Sequence, residues 1–358
     1  MAVHFHQLKI KDIKKETPEC VSISFDIPNE LTNIFAFKEG QNITVKKNIA
    51  GEEIRRSYSI CSAPYEKELR VAVKKLAGGA FSEFANENLK VGDTLDVLPP
   101  TGKFNSKKHI TENGNYLAIA AGSGITPVLS IIKHSLQSEQ GSSFTLIYGN
   151  RNHNSIIFFE ELEGLKNKYM ERFNFINILS REKTDAEILY GRIDENKLAA
   201  LGKLLPYNEF HEIYICGPEE LIFSANDYLQ KQGIAKAKIH FELFTTPGQK
   251  HTAVHIQQTE VNSGPKSNVT IKLDGRSFDF DLNFKSSSIL DAALQQGADL
   301  PYACKGGVCA SCRAKLVEGE VDMDVNYALE EEEVEQGFIL TCQSHPRSNK
   351  VVVDFDIK

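Results

Sequence analysis

The sequence predicts a multi-domain protein in three parts: an antiparallel β-barrel over residues 1–106, an α/β domain with a parallel sheet over 107–245, and an α+β domain over 269–358, with a linker at 246–268. Three observations carry this. Short β-rich runs separated by Gly, Pro or charged turns fill the N-terminal part. Strand-like and helix-like stretches then alternate, as crossover helices around a parallel sheet require. Near the C-terminus a hairpin and a helix precede a cysteine-bearing loop. At 358 residues the chain exceeds what one core supports.

The β-rich runs of the first part are Cys20–Asp26, Gln41–Val45, Ile54–Ile60, Leu69–Val73 and Thr94–Leu98, interrupted by one helix at Ala80–Leu89. Within it, Arg56-Ser57-Tyr58-Ser59 ends a strand. Side chains alternate along a strand, so Arg56 and Tyr58 share one face and Ser57 and Ser59 the other. A guanidinium suits a dinucleotide's pyrophosphate and a flat aromatic suits an isoalloxazine or ribityl chain. The same residues also fit an ordinary exposed Arg beside a half-buried Tyr. Gly78-Gly79-Ala80-Phe81-Ser82 follows, and glycines just before a helix can leave backbone donors for a phosphate or simply cap the helix.

In the α/β part, the apolar strand Tyr116–Ala120 feeds the turn Ala121-Gly122-Ser123-Gly124-Ile125-Thr126-Pro127 and an amphipathic helix, Val128–Leu136. Such a turn makes a pyrophosphate cradle from backbone N–H groups at the positive end of a helix. Further strands are expected at Phe144–Tyr148, Asn174–Leu179 and Glu212–Cys216, with helices at Ile156–Tyr169 and Glu219–Gln232. The C-terminal ends of these strands, where open α/β sheets bind ligands, carry Asn150-Arg151, Ser180-Arg181 and Cys216-Gly217-Pro218. A hydroxyl and a guanidinium at Ser180 and Arg181 suit an adenosine 2′-phosphate, whereas an NAD site usually offers a carboxylate. The pair therefore favours NADPH over NADH, although Glu182 follows directly.

The text from Thr246 to Asn268 has no period and reads as a linker. His251 and His255 lie in it and, like the other scattered histidines, are not assigned as ligands. Val269–Leu273 and Ser277–Leu282 then form a hairpin around Asp274-Gly275, and Ile289–Gln296 is a helix capped by Ser286–Ser288. In the next loop Cys304, Cys309 and Cys312, with the distant Cys342, make C-x4-C-x2-C…C. Gly306 and Gly307 allow the tight turn that wraps three thiolates around one inorganic centre. A four-cysteine zinc site is the competing arrangement, but zinc ribbons usually pair two C-x-x-C knuckles and only Cys309 and Cys312 have that spacing.

Composition bounds the function. A net charge of −7 argues against a general nucleic-acid binder, and Pro265 to Lys358 holds 10 Lys+Arg against 16 Asp+Glu, so most of the net negative charge surrounds the cysteine loop. Glu330–Glu333 reads as a solvated helix face that could also steer a partner. Tyr116–Ile132 is uncharged but broken by Gly122, Gly124 and Pro127, so no membrane span is expected. No secretory signal follows Met1, and Cys20, Cys61 and Cys216 read as free thiols of a reducing, cytoplasmic protein.

The cysteine spacing, with Pro301, Tyr302, Gly307 and Thr341-Cys342-Gln343, resembles the plant-type [2Fe–2S] ferredoxins, which implies a β-grasp fold and a one-electron carrier. Arg56–Ser59 together with Gly79–Ser82 resembles the FAD-binding barrel of the ferredoxin–NADP reductase superfamily. This resemblance extends over the α/β part. It implies that Ser59 lies near the flavin's reactive edge, that Cys216 lies close to the nicotinamide, and that Glu242 and Phe244 belong to a terminal segment over the flavin. Phe241–Phe244 could equally be the last strand of the sheet.

Electron counting sets the order of transfer, because NADPH gives two electrons as hydride, a cluster takes one, and a flavin can do both. The whole chain resembles one branch of the superfamily, the reductase components of phenylacetyl-CoA epoxidases, through Arg55–Cys61, Ala118–Pro127, Leu146–Arg151, Leu290–Cys309 and Val351–Asp356. That resemblance implies a di-iron oxygenase as acceptor. The alternatives are the reductase of a Rieske dioxygenase or another hydroxylase, and a non-catalytic redox or zinc-stabilised binding module.

Overall fold

A computed structural model describes residues 4–105, 113–244, 265–284 and 286–357. It forms two compact units, the first spanning His6–Ile54 and Tyr58–Leu243 and the second holding Met1–Phe5, Arg55–Ser57 and the chain from Phe244 onward.

The first unit begins with β1 (His6–Thr17), β2 (Cys20–Asp26), β3 (Asn42–Ile49), β4 (Glu52–Ser59), β5 (Leu69–Lys74), α1 (Ala80–Glu87) and β6 (Thr94–Val97). The strands form one sheet in the order β4-β3-β6-β1-β2-β5, with antiparallel pairing. An antiparallel bridge between Ile60 and Val71 brings the two edges together, so the sheet closes on itself as a barrel. Leu8, Ile10, Val21, Ile23, Ile43 and Val71 fill its interior. The sequence marks only short runs, yet β1 is a 12-residue strand. Its lysines face outward while Leu8 and Ile10 are buried, and register shifts between Ile10 and Asp12 and between Lys15 and Thr17 blur the alternation a reader would seek.

Parallel strands β7 (Asn115–Ala121), β8 (Ser143–Asn150), β9 (Phe173–Leu179), β10 (Glu212–Cys216) and β11 (Ile239–Glu242) follow, in the order β11-β10-β7-β8-β9. Helices α2 (Ile125–Ser138), α3 (Phe159–Lys168), α4 (Glu195–Gly202) and α5 (Glu219–Lys231) connect them. Phe241 and Glu242 therefore do lie on the last strand of the sheet. The helix expected from Ile156 starts later. Phe158 has a left-handed backbone (φ 62°), and Ile156, Ile157 and Phe158 plug the core instead of entering a helix. Among the described residues no helix is long and apolar enough to cross a membrane.

Barrel and parallel sheet share a core, since Cys20, Cys61 and Ala72 pack with Ala118, Ile125 and Tyr148. An ionic network around the buried Lys133 pins them. Arg70 of β5 donates to both oxygens of Glu161 on α3 at 2.8 and 2.9 Å. Lys133 of α2, only 3 % exposed, donates to both oxygens of Glu66 at 2.9 and 3.0 Å and also pairs with Glu161.

The second unit holds β12 (Lys266–Leu273), β13 (Arg276–Asn283), α6 (Ile289–Gln295), β14 (Arg313–Glu318), β15 (Val321–Met323), α7 (Glu331–Glu335), β16 (Phe338–Leu340), β17 (Ser344–Pro346) and β18 (Lys350–Asp354). Its main sheet runs β13-β12-β18-β14-β16, and β15 and β17 pair separately. The hairpin turn has φ of 54° at Asp274 and 68° at Gly275, the positive pair that a two-residue type I′ turn needs. Ser288 caps α6 by accepting from the Asp291 N–H at 3.2 Å.

Lys266–Asn268, read above as the end of a linker, are strand paired with Asp281–Asn283, because they complete the hairpin ladder. His251 and His255 lie outside the described residues. The expected solvated face at Glu330–Glu333 is also only partly so: Glu333 turns inward to Arg313 at 3.0 Å, whose guanidinium lies 3.6 Å from the centroid of Phe338.

Candidate functional site

The barrel contributes the end of β4. Arg56 is exposed, Tyr58 is half-buried and Ser59 is buried. The rings of Tyr58 and Phe81 lie 5.6 Å apart, so the aromatic of β4 is backed by the first turn of α1. The turn before α1 follows the second of the two readings, with Gly79 as the N-cap of the helix. Gly78 N–H donates to Glu83 at 2.9 Å and Gly79 N–H to the Leu76 carbonyl at 2.9 Å, so neither glycine offers a free donor. What Gly79 supplies is room. A Cβ there would stand 2.5 Å from Ser82 Oγ, which accepts from Leu76 N–H and donates to the Gly79 carbonyl.

In the parallel sheet, the turn after β7 sits against the loop after β10. A Cβ on Gly124 would come within 2.1 Å of the Cys216 carbonyl oxygen, so only glycine permits this approach. Gly122 has a φ of 53°, its carbonyl accepts from the Tyr148 hydroxyl at 2.9 Å, and Thr126 Oγ1 donates to the Ser123 carbonyl at 3.0 Å. Pro127 is buried in the first turn of α2. Sequence reasoning missed Lys74. Its ammonium, at the end of β5, stands 3.7 Å from where a Gly122 Cβ would be, placing a positive charge at the rim of the turn. A lysine ending a strand carries no local signal for this, since the turn is far along the chain.

Three predicted residues meet although their elements are distant in sequence. Ser59 Oγ donates to Glu242 Oε2 at 2.8 Å, and Glu242 is the register partner of Cys216 across β10 and β11. Cys216 is fully buried, and burial, then the nearby Glu242 carboxylate, push its thiol well above the usual range. Phe244 is exposed.

At the ends of β8 and β9 the pairing continues beyond the strands. Ser180 N–H and its hydroxyl both donate to the Asn150 carbonyl, at 2.9 and 3.2 Å, and Arg181 N–H donates to the Arg151 carbonyl at 2.8 Å. Arg151 and Arg181 are exposed there, side by side in the backbone ladder.

In the second unit the cysteine sulfurs fall into two pairs. Cys304 and Cys309 Sγ are 3.1 Å apart. The hydrogen bond with Cys304 pulls the Cys309 thiol down to about 5 against the opposing effect of burial, and hydrogen bonding between Cys312 and Cys342 lowers Cys342 and raises Cys312. Two thiol pairs suit a centre of two irons, each with two protein sulfurs.

The loop supports such a centre. Lys305 and Gly307 have φ of 52° and 74°, a Gly307 Cβ would meet the Val325 carbonyl at 2.9 Å, and Gly306 N–H donates to Cys304 Sγ at 3.3 Å. Gln343 donates to the Lys305 carbonyl at 2.9 Å, and Thr341 Oγ1 to the Cys312 carbonyl at 3.0 Å, tying Cys342 to the other three.

Comparison with known proteins matches these regions to families. Residues 7–106 match the oxidoreductase FAD-binding domain, 118–227 the oxidoreductase NAD-binding domain, and 271–347 the 2Fe-2S iron-sulfur cluster binding domain. The chain is 46% identical over 356 residues to one of the subunits of the 1,2-phenylacetyl-CoA epoxidase of Escherichia coli K12, covering 99% of this chain and 98% of that one. It is 32% identical over 352 residues to the ferredoxin reductase component of 3-ketosteroid-9-alpha-monooxygenase from Rhodococcus rhodochrous, covering 97% and 96%. Among solved structures it shares the fold of phthalate dioxygenase reductase, with a TM-score of 0.58, 24% identity and 98% of both chains covered.

Proposed function

Because this chain belongs to the oxygenase-reductase family that includes the Escherichia coli phenylacetyl-CoA epoxidase component, oxidoreductases with domains for FAD, NAD(P) and a [2Fe–2S] cluster, we propose that it takes electrons from NADPH and delivers them to a di-iron oxygenase acting on phenylacetyl-CoA. The observation that carries the choice of client is the 46% identity to the epoxidase component over 356 residues, against 32% over 352 residues to the reductase of the 3-ketosteroid monooxygenase.

When bound, FAD converts a hydride into single electrons and the cluster passes them on one at a time. The chain's own residues set the geometry. Tyr58, backed by Phe81, offers the flavin a flat face, and Arg56 offers its pyrophosphate a guanidinium. Glu242 fixes the Ser59 hydroxyl by accepting its hydrogen bond, which leaves the serine's lone pairs available as acceptors for a group of the bound flavin. Cys216 stays a neutral thiol because burial and Glu242 both oppose its ionisation, so it forms a small uncharged wall for the nicotinamide and not a nucleophile. The Gly122–Pro127 turn and Lys74 take the nucleotide's pyrophosphate, and Arg151 and Arg181 take the 2′-phosphate, while Ser180, whose hydroxyl donates to the Asn150 carbonyl, holds the two loops together beneath them. Cys304, Cys309, Cys312 and Cys342 hold the cluster.

Reconstitution tests this reading: NADPH, this protein, the host's candidate oxygenase subunits, phenylacetyl-CoA and oxygen, scored for the ring-oxygenated thioester. Product formation supports it. No product, alongside efficient reduction of another oxygenase from the same host, overturns the client and leaves the reductase chemistry standing.

A further inference from the structure

Glu182 directly follows Arg181, and a carboxylate at that place could be taken for the acceptor of a free ribose hydroxyl, which would mark an NADH site. Its geometry points elsewhere. Glu182 Oε2 accepts from the backbone N–H of His153 at 2.8 Å, across the two loops that leave β8 and β9. That bond extends the ladder already made by Ser180 to Asn150 and Arg181 to Arg151. The His153 side of the clasp is itself ordered. Asn152 N–H donates to Ser155 Oγ at 3.1 Å, Ser155 Oγ donates back to the Asn152 carbonyl at 2.7 Å, and the His153 ring packs edge-on to Phe159 at 4.4 Å.

We infer that Glu182 is a positioning residue for nucleotide selectivity: it clasps the loop bearing Arg151 to the loop bearing Arg181, so that both are presented together to a phosphomonoester. The inference rests on the NADPH reading above and deepens it. A divalent phosphate gains most from two guanidiniums held at once, whereas a free ribose hydroxyl gains little from either. If unclasping lowers the fraction of molecules with the two loops side by side, apparent affinity falls by that fraction for the ligand that needs both loops. The carboxylate's own charge opposes a phosphate nearby. Glu182→Gln keeps an acceptor for His153 N–H without that charge, while Glu182→Ala loses the clasp.

The test is equilibrium titration of the oxidised, FAD- and cluster-loaded protein with NADP+ and with NAD+, followed by flavin difference spectra, for wild type, Glu182→Gln, Glu182→Ala and Arg181→Ala. Glu182→Ala should weaken NADP+ about three- to ten-fold, the scale of one modest hydrogen bond, with NAD+ changed less than about two-fold. Glu182→Gln should bind NADP+ at least as well as wild type. Weaker NAD+ with unchanged or tighter NADP+ in Glu182→Ala overturns the inference, as does an equal loss for both nucleotides or no change in either. Arg181→Ala separates the two levels: if it weakens NADP+ while Glu182→Ala does not, only the clasp fails, and if it leaves NADP+ unchanged, the 2′-phosphate reading fails with it.

Discussion

Ser59 and Glu242 are joined by a 2.8 Å hydrogen bond although they lie at the end of a barrel strand and the end of the last strand of the parallel sheet. The register of β10 and β11 sets Glu242 beside Cys216, so one carboxylate touches residues from both sheets. Removing either partner should leave the folded site in place but loosen the flavin edge. Ser59→Ala and Glu242→Gln are expected to retain FAD and to slow flavin reduction by NADPH about ten-fold or more, the equivalent of about 1.5 kcal/mol. Stopped-flow reduction at saturating NADPH measures this, and an unchanged rate would make the pair a structural joint only.

On the proposed reading of the nucleotide site, Arg181→Glu would replace a charge-assisted contact to the 2′-phosphate with repulsion. It should weaken NADPH about ten- to a hundred-fold while changing NADH far less. Flavin reduction rates over a range of each nucleotide give the two values, and an unaltered preference would make Arg181 a bystander.

Glu161 neutralises two buried cations, Arg70 and Lys133, which makes it the central anion where barrel and parallel sheet meet. Burial raises its pKa, but Lys133 and then Arg70 outweigh that and hold the carboxyl below its usual range. A folded pKa below the unfolded one contributes stability that is complete above the ordinary carboxylate range and is lost as pH falls through the folded value. Glu161→Gln should therefore destabilise the fold by about 2–3 kcal/mol at neutral pH and flatten the acid side of its stability curve. Denaturant melts across pH test both; an acid limb identical to wild type would remove Glu161 from the account.

The sequence made the local elements legible where pattern and punctuation agreed. Cys20–Asp26 and Glu212–Cys216 are strands with the expected bounds, and Ser288 caps the helix it was expected to cap. It was poorer where burial depends on distant partners. Nothing near Lys133 marks a lysine on an otherwise apolar helix as buried, because its anions are Glu66 and Glu161, each supplied by another element. Helix α4 escaped notice because only Leu198 and Leu201 of its residues are buried, too few for a clear period. The Gly-rich turn was visible in sequence, but its closeness to Cys216 was not, since that depends on the β7–β10 pairing.

The acidic cluster domain should make delivery to the oxygenase salt-sensitive. The chain from Pro265 on carries 10 Lys+Arg against 16 Asp+Glu, and exposed charges are screened beyond about 8 Å at physiological salt. Rising salt is expected to slow electron transfer to the partner while changing NADPH-to-FAD reduction less. Parallel measurement of both steps over a salt series decides it, and equal sensitivity of the two would speak against steering.

The central claim is that electrons pass from nucleotide to flavin to cluster, with each step held by separate residues. Its most direct test is anaerobic stopped-flow reduction of Cys309→Ser by NADPH, read at both flavin and iron–sulfur bands beside wild type. The account predicts flavin reduction close to the wild-type rate, with [2Fe–2S] content lost or sharply lowered and electron output falling with it. A normal cluster in that variant, or flavin reduction lost as completely as output, would contradict it.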